Sequence, residues 1–470
     1  MVVVLGACHG DDHIPPPMPD AGTQRVAVGT QVVDHAAYVG GITVDGDVIF
    51  YDTNADGHTV AKAVPLAGGD VVTIATSAGT GKADVRFEID GHVVFAWTDR
   101  GNRVANLTIW SRATGTIAIG PNVRPGRAAA TSDGAYVLYE RDVTANTVSV
   151  VGGPIAGTHA LLATANSLDS SCWQNTDLAA SGDRLVARYC PDPATAFTLA
   201  TFAANGQVAT LASDVPGAFY GANQIVWRDA TGVLTAAAAD GTAPQVLGSD
   251  VAEFAISADE STAAYRTNAG AIATAPLAGG SATTLVASGA MALGALSPDR
   301  QTVLYASAID DRGTGFVQPY TDVQLVAPSA AHALVPTPTS CAGCMASPFT
   351  PDGQYVLELD PIDNSSAADA AGPLHVFRAA TGESIGSFGS VVYNALAIGD
   401  QLFAFDAARD ATLDSGWSYG LTLVSPDLST QAIVARVADG FALDPAHMHV
   451  AVSFTDTGDR LAGIWVAPVP

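Results

Sequence analysis

The sequence predicts an all-β fold made from one four-stranded antiparallel sheet repeated many times. Three observations carry that expectation. Near-identical stretches recur, as TSDGAYVLYE (131–140), SPDRQTVLYA (297–306) and TPDGQYVLEL (350–359). The apolar runs are short and broken by Gly, Asp, Asn and Pro, which is the punctuation of strands and turns. Helical 3.6-residue periodicity does not persist anywhere along the chain.

Each repeat reads as strand a, tight turn, strand b, loop, strand c, turn, strand d. The a–b turns align as VDGD (44–47), IDGH (89–92), SDGA (132–135), SGDR (181–184), GANQ (221–224), ADES (258–261), PDRQ (298–301), PDGQ (351–354), IGDQ (398–401) and PAHM (445–448). A b strand follows each one, from VIFYD (48–52) to VAVSF (450–454). The mean spacing is about 45 residues, within the ~40–45 of a propeller blade. The c–d turns, such as LAGGD (66–70), ADGT (239–242) and ATGE (380–383), supply the Gly that tight hairpins need. One such sheet cannot bury both of its faces, so neighbouring sheets must cover each other. The expected architecture is therefore a β-propeller of about ten repeat units, with two smaller propellers as the alternative. The tenth unit stops after a c strand in GIWVAPVP (463–470), and QRVAVGTQVV (24–33) reads as a strand. That strand is expected to complete the last blade and fasten the two ends.

SPDRQTVLYAS and TPDGQYVLELD resemble the WD-repeat-like repeats of TolB-type propellers from the bacterial envelope. The resemblance spans roughly residues 24–470 and is strong in three or four units. It implies a propeller fold and an envelope setting. The Trp-Asp dipeptide of true WD repeats is absent.

The N-terminus adds to that expectation. MVVVLGAC resembles a lipobox, with Cys8 as the lipidated residue. Residues 1–8 then read as a signal remnant, 9–23 as a disordered Pro-rich tether and 24–470 as the propeller. Only seven residues precede Cys8, fewer than the ~15–30 of a secretory signal. Cys172, Cys190, Cys341 and Cys344 remain, an even set that reads as disulfides in a secreted chain. CAGC (341–344) also fits a redox motif or half a zinc site. The βαβ context of the first and the second CxxC of the other are both missing.

Composition narrows the partners. The net charge is −26, and Lys62 and Lys82 are the only lysines. Nucleic acid is excluded, because phosphate neutralisation needs clustered Lys and Arg, and so is a polybasic membrane patch. No run approaches the ~18 apolar residues of a spanning helix, despite a mean hydropathy of +0.25. Membrane contact is expected only through a lipid on Cys8.

In a propeller the b–c loops and the d–a connections share one face. The long loops IDDRGTGFVQPYTD (309–322), DPIDNSSAADAAGP (360–373) and DAARDATLDSGWSYG (406–420) fall there, as do all four cysteines. Loops on a rigid scaffold commonly carry function. The expected binding anchors are Phe316, Tyr320, Trp417 and Tyr419, since aromatics give large contact area at low entropy cost; satellite packing under their own loops is the plainer alternative. Asp52, Asn54 and Asp56 in DTNADGH begin like a calcium loop, but Val60 and Ala63 occupy the later ligand positions. Calcium is the cofactor this pattern suggests, with an Asx-rich hairpin turn as the alternative.

Several enzyme-like matches fail on context. GESIG (382–386) spans a hairpin turn, so Ser384 is not placed at a strand-to-helix elbow. GTGK (79–82) lacks the remainder of a phosphate loop. His447 and His449 flank a turn and strand start. Two functional readings follow. One is a non-catalytic, envelope-anchored propeller that binds a protein or glycan through the b–c/d–a face. The other is a propeller enzyme (hydrolase, lyase or quinoprotein-type dehydrogenase) with polar groups gathered at a central channel.

Overall fold

The structure is a computed structural model that describes residues 29–78, 85–99, 104–142, 147–166, 177–181, 184–191, 196–203, 207–309, 319–334, 340–341, 348–359, 372–398, 401–409, 417–429, 431–436, 440–446, 448–454 and 462–468. These residues hold strands and turns, with no helix among them. All ten expected b strands are present, from Asp47–Thr53 in blade 1 to His449–Phe454 in blade 10. Blade 1 pairs Tyr38–Ile42, Asp47–Thr53, Thr59–Pro65 and Val72–Thr76 in chain order, and blades 4, 5 and 6 repeat that order. Each of these four-stranded sheets is a propeller blade.

Two d–a connections are not loops. Gly115–Ala130 runs unbroken as strand d of blade 2 and strand a of blade 3, merging the two into a seven-stranded sheet. Ser384–Ile398 does the same for blades 8 and 9. The bends within these long strands fall at residues with positive φ, among them Gly126 (71°) and Gly389 (62°). Among the described residues, blade 8 shows the bridge Phe349 to Val356 at the place of its a strand.

The blades divide between two compact units. One takes in Val28–Gln245 with Asp439–Pro470, hence blades 1 to 5 and 10; the other takes in Val246–Ala438, with blades 6 to 9. In both, the a strands of successive blades lie against one another, which makes them the inner strands. The b strand alternates its side chains between two junctions. In blade 1, Val48 and Phe50 pack with Ala451, Ile464 and Val466 of blade 10, while Ile49 packs with Val85, Phe87 and Ile89 of blade 2. In blade 4, Leu185 and Ala187 pack towards blade 3, and Val186 towards blade 5. Blades 6 to 9 repeat the scheme in the second unit. Each buried Val, Leu, Ile or Phe of this kind contributes ~1.5–3 kcal/mol.

The recurring motif has a hydrogen-bonding cause. In blade 3 the Thr131 hydroxyl donates to Asp133 (2.6 Å) and accepts from the Tyr136 N–H (3.1 Å), while Asp133 accepts from the Ala135 N–H (3.0 Å). Ser257 with Asp259, Ser297 with Asp299 and Thr350 with Asp352 rebuild the same turn. All four hydroxyl residues are buried. The pair satisfies turn N–H groups that the strand ladder leaves open. Staples spaced near one repeat then tie blade to blade. Asp90 accepts the Ala130 N–H (2.7 Å), Glu253 the Leu293 N–H (2.8 Å), and Ser261 a bond from Arg300 (2.9 Å).

The chain ends meet as expected within the first unit. Thr30–Val33 adds antiparallel to Gly463–Pro468 and becomes strand d of blade 10. Gln31 donates to the Ala462 carbonyl (2.9 Å). A Cβ at Gly29 would lie 1.9 Å from the Val466 oxygen, and one at Gly463 2.0 Å from the Val33 oxygen. Only glycine permits these approaches, and both residues also have positive φ.

Gly463→Ala costs ~3 kcal/mol by forcing the latch apart, whereas Gly57→Ala, with positive φ but open space around it, costs only ~1–2 kcal/mol; thermal unfolding of the two variants measures the difference. Ser297→Ala costs ~1–2 kcal/mol for the buried bonds lost. The Thr131 and Ser257 hydroxyls hold the Asp133 and Asp259 carboxyls below their usual range. Their stabilisation is complete above the unfolded carboxyl range of ~4 and is lost as the pH falls through the lowered folded values. The unfolding midpoint therefore drops below about pH 4, and Asp259→Asn blunts that drop.

Candidate functional site

A charged layer crosses the inner strands of blades 2 and 3, at the end that carries the b–c loops and d–a connections. Strand a of blade 2 (Val85–Asp90) turns Val85, Phe87 and Ile89 towards blade 1. Arg86, Glu88 and Asp90 alternate onto the opposite side, towards blade 3. There, the stretch Arg124-Pro125-Gly126-Arg127 bulges between the pairs Arg141–Val123 and Tyr139–Ala128. Gly126 lets the backbone pass close to the Arg86–Glu88 pair: a Cβ there would lie 3.2 Å from Glu88 Oε1 and 4.0 Å from Arg86 Nη2.

Beneath this rim lies a buried support. Arg124 donates through Nε to Asp142 (2.6 Å), and its Nη1 stands 3.6 Å from Glu140 Oε2. Glu140 is fully buried, and among the described residues its carboxyl meets a donor only in that 3.6 Å ion pair with Arg124, beyond ordinary hydrogen-bond length. Burial pushes the Glu140 carboxyl above the usual range, against the opposing charges of Arg124 and Arg127. Burial raises Glu88 as well, against Arg86 and Arg127, and Asp90, against the Ala130 N–H. Arg127 thus acts on both Glu88 and Glu140. The Arg86 side chain is 51% exposed and Glu88 29%, with the ion pair between them at 3.1 Å. This layer combines a solvent-reached rim of donors and acceptors with a covered base that fixes it.

Blade 1 extends the polar face. His35 joins Asp34 (3.2 Å) and Asp52 (3.0 Å), and Lys62 donates to Asp52 (2.6 Å). The bond to Asp52 leads in raising the His35 pKa. Burial works to raise Asp52, but the bonds from Lys62, His35 and the Thr53 N–H outweigh it and leave that carboxyl low. Asp99 ties the next connection, accepting from the Ala78 N–H (2.8 Å) and Asn106 (2.9 Å).

The expected site residues are placed as follows. Asp52 is engaged by Lys62 and His35. Asn54 Oδ1 accepts the Asp56 (3.0 Å) and His58 (2.9 Å) N–H groups, which makes DTNADGH an Asx-capped hairpin turn. Among the described residues no group of three His, Cys, Asp or Glu is arranged to hold a metal. Phe316 lies outside the described residues, as do the side chains of Tyr320, Trp417 and Tyr419. The backbones of the last three stand in c strands, with Tyr320 opposite Ile309 and Ser340, Trp417 opposite Arg409, and Tyr419 opposite Ala407. The hairpins therefore extend further, and the loops are shorter, than the sequence suggested. Cys190 is buried and disulfide-bonded. Cys8, Cys172 and Cys344 lie outside the described residues. Cys341 sits in a short strand opposite Pro319. His447 is also outside them, and His449 pairs with Asp444 (3.0 Å). Ser384 begins the long strand after the c–d turn.

Sequence reasoning missed the Arg–carboxylate layer. Its signal was nevertheless present: VRFEID (85–90) alternates charged with apolar residues, and RPGR (124–127) gathers two of the chain's few arginines about one repeat later.

No family model matches the chain, and no curated protein matches it. Solved structures do match. The tricorn protease is 10% identical over 92% of this chain and 52% of its own, with a TM-score of 0.30; this chain spans about half of its length. TolB from Acinetobacter baumannii is 12% identical over 51% of this chain and 63% of its own, with a TM-score of 0.27. A prolyl endopeptidase structure is 11% identical over 74% and 55%, with a TM-score of 0.34. Likenesses this distant carry no functional argument. No described helix is long and apolar enough to cross a membrane.

The Glu140 arrangement yields a prediction. A carboxyl whose folded pKa is raised contributes fully below the unfolded range of ~4, and that contribution is lost as the pH climbs towards the folded value. Glu140→Gln therefore raises the melting temperature at pH 7–8 and leaves it nearly unchanged at pH 4. Arg124→Ala instead costs ~3–5 kcal/mol by stranding buried charge. Thermal melts across pH measure both.

Proposed function

We propose that this chain is a non-catalytic propeller of the bacterial cell envelope that binds a protein or glycan partner through its b–c/d–a face. The observation that supports the reading is the charged layer of blades 2 and 3. Its rim residues, Arg86, Glu88 and Arg127, rise from strands rather than free loops, over the buried Arg124 and Glu140 and the half-buried Asp142. A rigid base lowers the entropy lost on binding. The envelope setting rests on the lipobox-like start with Cys8, the Pro-rich tether and the cysteine pairs Cys172–Cys190 and Cys341–Cys344. Phe316, Tyr320, Trp417 and Tyr419 widen the same kind of face on blades 7 and 9.

The second reading is a propeller enzyme. Buried carboxyls with raised pKa values are the equipment of a general acid, and Glu140 and Glu88 have that character. Glu140 is fully covered, however, and does not reach a substrate in this conformation, so binding is preferred.

The test is capture from envelope protein and glycan preparations on the mature chain from about Gly22. The Arg86→Ala/Arg127→Ala double variant is expected to lose at least tenfold of the captured partner while still folding. A partner kept by that variant but lost when residues 310–318, 360–371 and 410–416 become short turns would move the site to those loops. Turnover of a captured glycan, abolished by Glu88→Gln, would establish the enzyme instead.

A further inference from the structure

We infer that the inner-strand layer of blades 2 and 3 takes an acidic saccharide, with its carboxylate on Arg127 and Arg86 and its hydroxyls on Glu88, and that Glu140 gains a proton as the sugar binds. This rests on the binding reading above and names the ligand class and its control.

Among the described residues, the Glu140 carboxyl has no exposure and no donor within ordinary hydrogen-bond length, which is costly. A Gln at position 140 would keep the shape without a buried charge, so packing alone does not account for the glutamate. Its surroundings are mixed. Asp142 follows it on its own strand. Arg124 stands at 3.6 Å on the adjacent inner strand, and Arg127 acts on it from the same bulge. Across the junction Arg127 also acts on Glu88 of blade 2, which Arg86 and Asp90 flank on its own strand. On the blade 4 side the contacts of this strand face are apolar, with Leu138 packed among Leu185, Ala187 and Tyr189; the Tyr189 phenol is raised by burial and stays neutral. Arg188 of blade 4 points away, donating to the Val215 (3.3 Å) and Pro216 (3.1 Å) carbonyls.

The charges around this centre cancel when every group is ionised: Arg86, Arg124, Arg127 and Arg141, which donates to the Ile119 carbonyl (3.2 Å) beside the bulge, against Glu88, Asp90, Glu140 and Asp142. A proton on Glu140 removes one negative charge from beside Arg124 and Arg127. The site then carries one positive charge in excess, and an incoming carboxylate replaces the charge that Glu140 gave up. Guanidinium forks match a carboxylate in two parallel bonds. The elsewhere acidic chain, at −26, repels anions generally, so capture of one needs such a local compensation. A saccharide is favoured over other carboxylates because Glu88, partly exposed beside Arg86 at 3.1 Å, sets an acceptor next to a donor at the spacing of vicinal hydroxyls.

Calorimetric titration of the full chain at pH 5, 6, 7 and 8 tests this, with glucuronate, glucose and N-acetylglutamate as probes. Glucuronate is expected to bind at least tenfold more tightly than glucose or N-acetylglutamate. Its affinity rises about tenfold from pH 7 to pH 5, with net proton uptake visible as a buffer-dependent heat. Arg127→Ala abolishes binding. Glu140→Gln binds at pH 8 as tightly as the parent does at pH 5 and loses the pH slope. Equal binding of glucose and glucuronate, or a slope retained in Glu140→Gln, overturns the inference while leaving a polar-ligand site intact. Preference for N-acetylglutamate overturns the saccharide class. No binding of glucuronate by a folded parent chain at any of these pH values overturns the inference outright, and capture of another partner sensitive to Arg86→Ala/Arg127→Ala would still uphold the broader reading. Should Glu140→Gln fail to fold, the proton uptake of the parent and the response of Arg127→Ala decide the matter.

Discussion

The described b strands send apolar side chains to both faces of their blades, and that constraint governs the rest of the structure. A strand such as Asp47–Thr53 sends Val48 and Phe50 one way and Ile49 the other. No single sheet can hide both sets from water, so each blade is stable only between neighbours. A terminal blade would leave one face open. In the first unit, the a strand of blade 10 lies against that of blade 1, and the strand lent by residues 30–33 completes the tenth sheet. The glycines at 29 and 463 are the local consequence, because the latch brings backbone within a distance that no Cβ tolerates.

Directional bonds set the register that burial alone leaves loose. The hydroxyl–aspartate turn fixes where strand a ends and strand b begins, and a slip of one residue would invert the two apolar faces. Carboxylates on inner strands then reach the next blade at one-repeat spacing, as Asp90 does to Ala130 and Glu253 to Leu293. Polar groups thus specify an arrangement that apolar burial stabilises.

The same device gives the molecule its chemistry. Where strand d of blade 2 runs directly into strand a of blade 3, the backbone bulges at Gly126, and arginines and carboxylates collect on both inner strands. Glu140 there lacks the hydrogen bonds that Asp90 and Glu253 enjoy. A group left in that condition raises the energy of the resting fold, and functional sites are where such costs are tolerated.

How much could be read in advance follows from these causes. The ten b strands, the turns that precede them and the closing strand were legible, because each depends on local chemistry: a period-two apolar pattern, an Asp-Gly turn, a missing fourth strand. Asp52, Asn54 and Asp56 were legible as a polar loop, but not their partners, since Lys62 and His35 reach Asp52 only once strands a, b and c are paired. The charged layer was not assembled from sequence, as Arg86 and Arg127 lie about one repeat apart and meet only when two blades stack. By itself the sequence determined the repeated sheet and the means of fastening it, because those are properties of neighbouring residues. The tertiary structure alone decided which charges face each other and which are sealed from water, because burial and proximity between blades do not exist until the sheets are packed.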